Sequence, residues 1–219
     1  MKPAQIAQLL VIVLAAAAVY GFVGTARDAE RRRVCTAACA MRPNYAARNR
    51  LAPDFELPSL TGQKVRLSEY RGRVVILNFW TKTCPPCLEE MPSLAEFARV
   101  VERDPRIALI TITTDESVEE AQDTLKSVLG GPAPFLVLLD TEAEIVTGKY
   151  GTKLFPETWF IDGRGVIRAR FDGARDWSGA LPLDLAQSLL GKPSCSLEFT
   201  SGRPVGEYAG VCDYVGSAG

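Results

Sequence analysis

Runs of apolar residues alternate with helical patterns along the middle of the chain. Three stretches are almost continuously apolar and rich in β-branched side chains, namely residues 73–80, 106–114 and 135–140. Such runs are typical of strands that are buried on both faces of a sheet. Apolar residues at intervals of three and four predict a helix that follows residue 84 and ends near Asp104. A second helix is predicted over 117–129, so strands and helices alternate.

The segments on either side of this core carry shorter strand patterns. Within residues 51–72, "FELPSL" and "KVRL" flank Thr61 and Gly62 and predict a β-hairpin. "FPETWFID" and "VIRARF" flank a glycine-containing turn at 163–165 and predict a second hairpin. Short helices are predicted around 142–149 and over 179–190. The complete pattern predicts an α/β fold with a layered sheet.

The N-terminal segment has a different pattern. After Lys2, residues 6–23 form an almost unbroken apolar run, and about 17–25 such residues are needed for a helix to span a bilayer. A cleaved signal peptide is the alternative, because small residues at 24–26 offer a cleavage site. The run is long for a signal peptide, whose apolar region has about 7–15 residues. We therefore expect an uncleaved anchor, with the membrane contacted through residues 6–23.

These patterns divide the chain into four parts. The predicted parts are a signal-anchor or signal peptide over 1–26, a linker over 27–50, a single α/β domain over 51–191 and a cysteine-containing tail over 192–219. The domain is long enough to bury a hydrophobic core of its own.

Composition narrows the function classes. The chain has 219 residues with a net charge of −1 and no basic run, so a nucleic-acid partner is not expected. It contains no histidine, which excludes a Cys-His nucleophile pair and histidine-ligated metal sites. Proton transfer must therefore use carboxylates, thiols or water. Its six cysteines agree with an oxidising compartment.

Two of the six cysteines carry the candidate chemistry. Cys84 and Cys87 are separated by two residues and lie where a buried strand gives way to a helix. Such a pair can bind a metal, form a structural disulfide or exchange disulfides, and the chain offers no second matching pair for a zinc site. Prolines at 85 and 86 suit the first turn of a helix, where a missing N–H is tolerated. The positive end of that helix stabilises a thiolate, so we expect Cys84 to attack and Cys87 to resolve.

The other four cysteines are candidates for structural disulfides. They are Cys35, Cys39, Cys195 and Cys212, and four cysteines allow three connectivities. Local pairing would join Cys35 to Cys39 and close a tail hairpin with Cys195 and Cys212. The alternatives bridge each linker cysteine to the tail. We favour the local pairing.

Three motifs together resemble a known family. "LAPDFELPSLTGQKVRLSEYRGR", "VILNFWTKTCPPCLEEMPSL" and "FPETWFIDGRGVI" occur in this order over residues 51–190. They resemble the TlpA/ResA-like branch of the thioredoxin superfamily, whose domains are also called redoxin or AhpC/TSA-like. The resemblance implies a thioredoxin fold, a central mixed sheet flanked by helices, with an added N-terminal β-hairpin and a preceding transmembrane helix. It also implies thiol–disulfide exchange without a cofactor or metal, mainly as a reductant of partner disulfides, often in cytochrome c maturation or cuproprotein assembly.

The resemblance also assigns roles to individual positions. Pro156 matches the family's cis-proline, and the backbone of Phe155 before it would pair with an extended substrate. Glu90 matches an active-site glutamate that would handle the proton of Cys87, although a solvated helix glutamate is the alternative. Asn78 stands where classical thioredoxins have a buried aspartate. Thr83 departs from the family, which has tryptophan directly before the first cysteine, so the substrate preference is open.

Two other functions remain alternatives. A peroxiredoxin-like thiol peroxidase would use Thr81 in its Thr-x-x-Cys motif, but Leu77 stands where that family has a proline. A non-enzymatic redox or metal-chaperone domain is the second alternative, and the intact cysteine pair argues against it. Hydrogen peroxide consumption with a thiol donor separates the first alternative from an oxidoreductase.

Charges around the apolar run bear on its orientation. Arg27 and the arginines at 31–33 follow the run, and the positive-inside bias would place the following domain in the cytoplasm. The cysteine content and the family resemblance indicate the opposite side. We therefore expect an anchor in the bacterial cytoplasmic membrane, with the domain on the periplasmic side. After each reaction, a membrane electron donor of the thiol–disulfide type would reduce the Cys84–Cys87 disulfide back to the dithiol.

Overall fold

The structure of the chain is a computed structural model that describes residues 3–40, 51–190, 198–200 and 203–205. Cys195 and Cys212 lie outside these residues, as do the side chains of Cys35 and Cys39. The pairing of these four cysteines therefore stays a prediction.

The N-terminal helix is long and continuous. Helix α1 spans Pro3–Ala40, so it runs without a break from the apolar segment into the predicted linker. Its stretch Gln5–Arg27 is long and apolar enough to cross a membrane, and its side chains are not buried by the rest of the chain. Signal sequences share these properties.

The following elements agree closely with the predicted order. In chain order they are β1 (Glu56–Pro58), β2 (Lys64–Arg66), a short 3₁₀ helix (Leu67–Tyr70), β3 (Val74–Trp80), α2 (Pro85–Val101), β4 (Ile107–Thr113), α3 (Val118–Leu129), β5 (Leu136–Leu139), a π-helical turn (Glu144–Lys149), β6 (Glu157–Ile161), β7 (Ile167–Asp172), α4 (Ala180–Ser188), β8 (Glu198–Thr200) and β9 (Arg203–Val205).

A five-stranded mixed sheet forms the centre of the domain. Its strand order is β5-β4-β3-β6-β7. Strand β3 is parallel to β4, which is parallel to β5, whereas β6 is antiparallel to both β3 and β7. This arrangement confirms the predicted α/β class and the thioredoxin fold, a central mixed sheet with flanking helices.

Strand β3 shows how the sheet divides two apolar cores. Val74, Ile76 and Trp80 belong to the core on one face, which includes residues of α2, α3 and α4. The alternate side chains Val75 and Leu77 belong to the core on the other face, which the β1–β2 pair and the π-helical turn cover. Because successive side chains of a strand point to opposite faces, a continuous apolar run suits this sandwiched position.

The β1–β2 pair is smaller than the predicted hairpin. Its two strands have three residues each and pair antiparallel, with Leu57 opposite Val65. An isolated bridge between Ser59 and Leu138 links this pair to the edge of the main sheet. The predicted added hairpin is thus reduced to a short ribbon. The proline at 58 and the polar turn that follows limit the length of regular pairing.

Candidate active site

The cysteine motif begins helix α2. Cys84 is the N-cap residue, with extended backbone angles, and Pro85 and Pro86 occupy the first turn. The backbone N–H of Cys87 lies 3.0 Å from the Cys84 carbonyl oxygen and 3.2 Å from its Sγ. Prolines are accommodated here because the first helical N–H groups have no partner within the helix. The local sequence therefore places Cys84 Sγ at the positive end of the helix.

The two cysteines form a disulfide in this structure. Their sulfur atoms are 2.11 Å apart and their Cα atoms 5.3 Å apart. Cys84 retains 9% of its surface exposed, whereas Cys87 has none. Thr83, Pro85 and Pro86 around Cys84 are exposed. Of the two cysteines, only Cys84 is therefore accessible from solvent.

A second loop ends close to the strand that leads to the dithiol. The peptide bond between Phe155 and Pro156 is cis. Glu157, the next residue, opposes Phe79 in the β3–β6 pairing, so Pro156 lies beside the last residues of β3. Phe155 packs against the core that contains both cysteines. The loop also carries Leu154, whose side chain is 82% exposed. The role of Phe155 and Pro156 in substrate binding stays a prediction.

Glu90 lies on the buried face of α2. It is 3% exposed and shares this face with Cys87 and Leu94, whereas its neighbour Glu89 is exposed. Its Oε1 accepts a hydrogen bond from Asn78 Nδ2 at 2.9 Å. Its Oε2 accepts from Trp177 Nε1 at 2.9 Å and from the Arg175 backbone N–H at 3.1 Å. Glu90 is therefore not the solvated helix glutamate of the alternative interpretation.

Burial and hydrogen bonding act in opposite directions on Glu90. Removal from water raises the pKa of its carboxyl above 4.5, because desolvation disfavours the charged form. The hydrogen bonds from Trp177, Asn78 and the Arg175 N–H lower the pKa and offset part of this effect. The net pKa is raised. The carboxyl therefore exchanges its proton closer to neutral pH than an exposed glutamate does.

Asn78 connects Glu90 to the neighbouring strand. Its amide Nδ2 also donates to Thr158 Oγ1 at 2.9 Å, and its side chain is fully buried. Its Oδ1 has no hydrogen-bond partner within the described part of the chain. A neutral amide thus stands beside the carboxyl, and Glu90 is the ionisable member of this pair.

The turn before Cys84 is held by a residue that the sequence analysis missed. Asp115 Oδ1 accepts from the Thr81 hydroxyl at 2.8 Å and from the Lys82 backbone N–H at 2.8 Å. The Thr81 carbonyl in turn accepts from the Cys84 N–H at 3.2 Å. Asp115 is 2% exposed, and its Oδ2 has no partner among the described residues. Its position just beyond the end of β4, at the same sheet edge as Cys84, was the available sequence signal.

Another buried carboxyl, that of Glu157, directly follows the cis-proline. Glu157 Oε1 accepts from the Thr152 hydroxyl and from Trp159 Nε1, the latter at 2.7 Å. Burial raises the pKa of Glu157, while the Thr152 hydrogen bond and the charge of Arg170 oppose the rise. Because Thr152 and Glu157 flank the loop, their hydrogen bond closes the segment that presents Leu154 and Phe155.

Trp177 was also missed. It is a single tryptophan in the polar stretch "GARDWSGA" after β7, to which the sequence analysis assigned no element and no role. The structure buries it to 1% exposure against α2. An isolated large aromatic residue in a polar loop was the signal for a packed position.

Several known proteins have sequences similar to this chain. ResA from Geobacillus thermodenitrificans, a thiol–disulfide oxidoreductase, is 30% identical over 125 residues, covering 56% of this chain and 67% of that protein. The thioredoxin-like protein YneN from Bacillus subtilis is 29% identical over 117 residues, covering 53% of this chain and 66% of YneN. The chain thus matches about two-thirds of the length of these relatives.

Solved structures agree on the fold. A Chlorobium tepidum structure assigned as a thiol:disulfide interchange protein DsbE has a TM-score of 0.58 and 29% identity, covering 66% of this chain and 99% of that one. StoA from Bacillus subtilis, at 21% identity, has a TM-score of 0.52 and covers 63% of this chain and 98% of its own, which supports the fold alone.

Fold, dithiol and relatives together define the class of protein, a thiol–disulfide oxidoreductase of the thioredoxin superfamily. The model of the AhpC/TSA family matches residues 49–170, which is more than half of the chain. The chain belongs to the AhpC/TSA family, and its relatives place it with the ResA-like and DsbE-like oxidoreductases.

Proposed function

We propose that the chain is a membrane-anchored, extracytoplasmic oxidoreductase that reduces disulfides of partner proteins with the Cys84–Cys87 dithiol. The observation that carries this proposal is the asymmetry of the pair. Cys84 is the partly exposed N-cap of α2 and Cys87 is fully buried one turn into the helix. This asymmetry separates an attacking thiol from a resolving thiol.

The reaction begins with both cysteines reduced. The Cys84 thiolate attacks one sulfur of a partner disulfide, the partner S–S bond breaks, and the released partner thiolate takes up a proton. The mixed disulfide is then attacked by the Cys87 thiolate at Cys84 Sγ, which expels the second partner thiol. Two electrons have moved from the dithiol to the partner, and the Cys84–Cys87 disulfide of this structure is the product state.

The start of α2 supports the first step. N–H groups at a helix N-terminus and the helix dipole stabilise a negative charge there. The Cys87 N–H, 3.2 Å from Cys84 Sγ, is such a donor. In Cys-X-X-Cys motifs this environment lowers the pKa of the first cysteine from about 8.5 to between roughly 3.5 and 7.5.

Glu90 supports the second step. Cys87 must lose its proton before it can attack, and Glu90 lies one turn further along the same buried face. The pKa of the Glu90 carboxyl is raised and is therefore closer to the pKa of a thiol, which favours proton exchange between the two groups. Glu90 accepts the proton from Cys87 as the mixed disulfide resolves, and returns it when the dithiol is regenerated.

The apolar stretch of α1 supports the membrane location. Its length and composition suit a single span, and we place the domain on the periplasmic side of the bacterial cytoplasmic membrane. A dithiol there must be regenerated by a membrane electron donor of the thiol–disulfide type. Cytochrome c or cuproprotein maturation is the process in which we expect its partners.

The arrangement at Thr81 argues against a peroxidase. A threonine hydroxyl has a single proton to donate, so a hydroxyl that donates to another side chain cannot also donate to a peroxide beside Cys84. Here the Thr81 hydroxyl donates to the buried Asp115 carboxylate. We expect no hydrogen peroxide consumption above the background rate of a free thiol.

Trapping of mixed disulfides tests the proposal. Cys87→Ser removes the resolving thiol, so the covalent complex between Cys84 and a partner protein should accumulate in cells. The matched control is Cys84→Ser, which removes the nucleophile and should trap nothing. Release of the trapped proteins by a reductant identifies them. Absence of any covalent complex with Cys87→Ser would overturn the exchange function.

Protease treatment of spheroplasts tests the location. The domain over 51–191 should be digested by external protease while the inner membrane remains intact, with a cytoplasmic marker protein as the control. Survival of the domain would place it in the cytoplasm, as the arginines after the apolar run imply.

A further inference from the structure

We propose that Trp177 is a positioning residue for Glu90, and that its indole N–H sets the pH range in which Glu90 accepts the proton of Cys87. This inference rests on the proposed role of Glu90 in exchange. Trp177 lies in the loop after β7, 87 positions after Glu90 in the chain, and would act on the dithiol through Glu90.

The loop after β7 reaches Glu90 through two donors to one oxygen. Trp177 Nε1 and the Arg175 backbone N–H both donate to Glu90 Oε2, at 2.9 and 3.1 Å. Ser93, one turn further along α2, fixes the same loop from the side. Its hydroxyl lies 2.8 Å from the Glu90 carbonyl oxygen and accepts the Trp177 backbone N–H at 3.1 Å. The two donors are therefore held in register with the carboxyl.

Packing fixes the Trp177 ring independently of its hydrogen bond. The ring lies roughly parallel to those of Phe97 and Phe160, at centroid distances of 6.1 and 6.3 Å. Phe171 contacts it edge-on at 6.2 Å. Aromatic contacts of this kind stabilise a ring in one orientation. An aromatic substitute without an N–H should therefore be held among the same three rings.

The hydrogen bond favours one protonation state of Glu90. Both groups from the loop are N–H donors, and a donor to a carboxyl oxygen stabilises the ionised form. Within the part of the chain that the structure describes, the charged group that acts on Glu90 is the Arg175 guanidinium, which also favours ionisation. The titratable Cys87 thiol lies one turn before Glu90 on α2. Asn78, from β3, contributes a neutral donor. Loss of the indole N–H should therefore shift Glu90 towards its protonated form.

Trp177→Phe tests this inference because it keeps an aromatic ring and removes the donor. In the full-length protein, the rate of reduction of a small aromatic disulfide is measured from pH 4.5 to 9. The acidic limb of the profile should move to higher pH by about half a unit to one unit. The Glu90 carboxyl, followed by ¹³C NMR, should titrate at correspondingly higher pH.

Two comparison variants isolate the donor. Phe97→Leu removes one aromatic contact of the Trp177 ring but keeps the contacts with Phe160 and Phe171 and the indole N–H, so its acidic limb should not move. In a Glu90→Gln background, Trp177→Phe should produce no further shift. If Trp177→Phe does not fold, site-specific replacement of Trp177 by benzothienylalanine supplies the same ring shape with sulfur in place of the N–H.

The outcomes separate this inference from the proposal on which it rests. An unchanged Glu90 titration in Trp177→Phe overturns the positioning role of Trp177, as does a shift that persists in the Glu90→Gln background. A Glu90 titration that moves while the exchange profile stays fixed overturns the role of Glu90 in exchange and supports the positioning by Trp177.

Discussion

The amide of Asn78 on β3 donates a 2.9 Å hydrogen bond to the carboxyl of Glu90 on α2, and both side chains are buried. The bond joins the strand that leads to Cys84 with the helix that carries Cys87. Of these two side chains only Glu90 can ionise, since an amide does not titrate in this range. The buried carboxyl of this pair therefore lies on the helix, whereas classical thioredoxins have a buried aspartate at the strand position of Asn78.

Replacement of Glu90 by glutamine should slow the reduction of a partner disulfide on the order of 10²-fold at neutral pH, since general acid–base groups contribute this much or more. The wild-type rate should fall as the pH decreases through the raised pKa of Glu90, and this limb should disappear in the variant. Glu89→Gln, one residue away and exposed, is the control and should behave as wild type. An unaltered pH profile in Glu90→Gln would refute the role.

The stability of the oxidised domain should decrease as the pH rises above 4.5. Glu90 and Glu157 have raised pKa values, so between 4.5 and those values the folded state binds more protons than the unfolded state. Their contribution to stability is complete below pH 4.5 and is lost as the pH rises through the folded pKa. Asp104, whose pKa is lowered to about 2, titrates below this window.

Urea unfolding between pH 4.5 and 8 measures this dependence. The double variant Glu90→Gln/Glu157→Gln should show a flatter decline than wild type, because neither glutamine ionises. Glu89→Gln supplies the control at an exposed site. An equally steep decline in the double variant would assign the pH dependence to other groups.

Asp115→Ala should destabilise the domain by about 1–3 kcal/mol, because the Thr81 hydroxyl and the Lys82 N–H lose their shared acceptor. Exchange should also slow, since the released turn includes the carbonyl that accepts the Cys84 N–H. Asp115→Asn keeps a carbonyl oxygen at this position and should retain most of the stability. Equal unfolding free energies for the two variants would contradict this explanation.

Leu154→Ser should weaken the binding of protein partners. Leu154 is 82% exposed beside Phe155, so it offers apolar area that a partner covers on docking. We expect the KM for a trapped partner protein to rise several-fold, with kcat unchanged. The rate with a small-molecule disulfide serves as the internal control and should stay at the wild-type value. A parallel loss with both substrates would show that the loop acts on the dithiol itself.

Much of the fold could be predicted from local patterns. The continuous apolar runs became β3, β4 and β5, and the helical spacing after Cys84 became α2. These elements are predictable because burial on both faces of a strand requires a continuous apolar run, and burial on one face of a helix requires apolar residues at intervals of three and four. The hairpin over 51–72 was predicted too long, since its alternation is interrupted by proline and its pairing depends on contacts with the sheet edge.

The environment of each site residue was less predictable. From the sequence, Glu90 could be either a proton carrier or a solvated side chain. The sequence could not distinguish it from Glu89, because the two side chains are identical. The rotation of α2 against the sheet distinguishes them, because it turns Glu90 inward and Glu89 outward. Asp115 and Trp177 could not be assigned roles, since their partners Thr81 and Glu90 are far away in the chain.

The sequence by itself therefore determined the Cys84–Cys87 pair, the strand before it and the helix that Cys84 caps. Short-range spacing is sufficient for these features, because Cys84, the prolines and Cys87 lie within one helical turn. The tertiary structure alone decided which carboxyl is buried beside the pair and which donors hold it. Desolvation and hydrogen bonding depend on residues brought together from β3, β4 and the loop after β7. Local sequence patterns do not predict these long-range contacts.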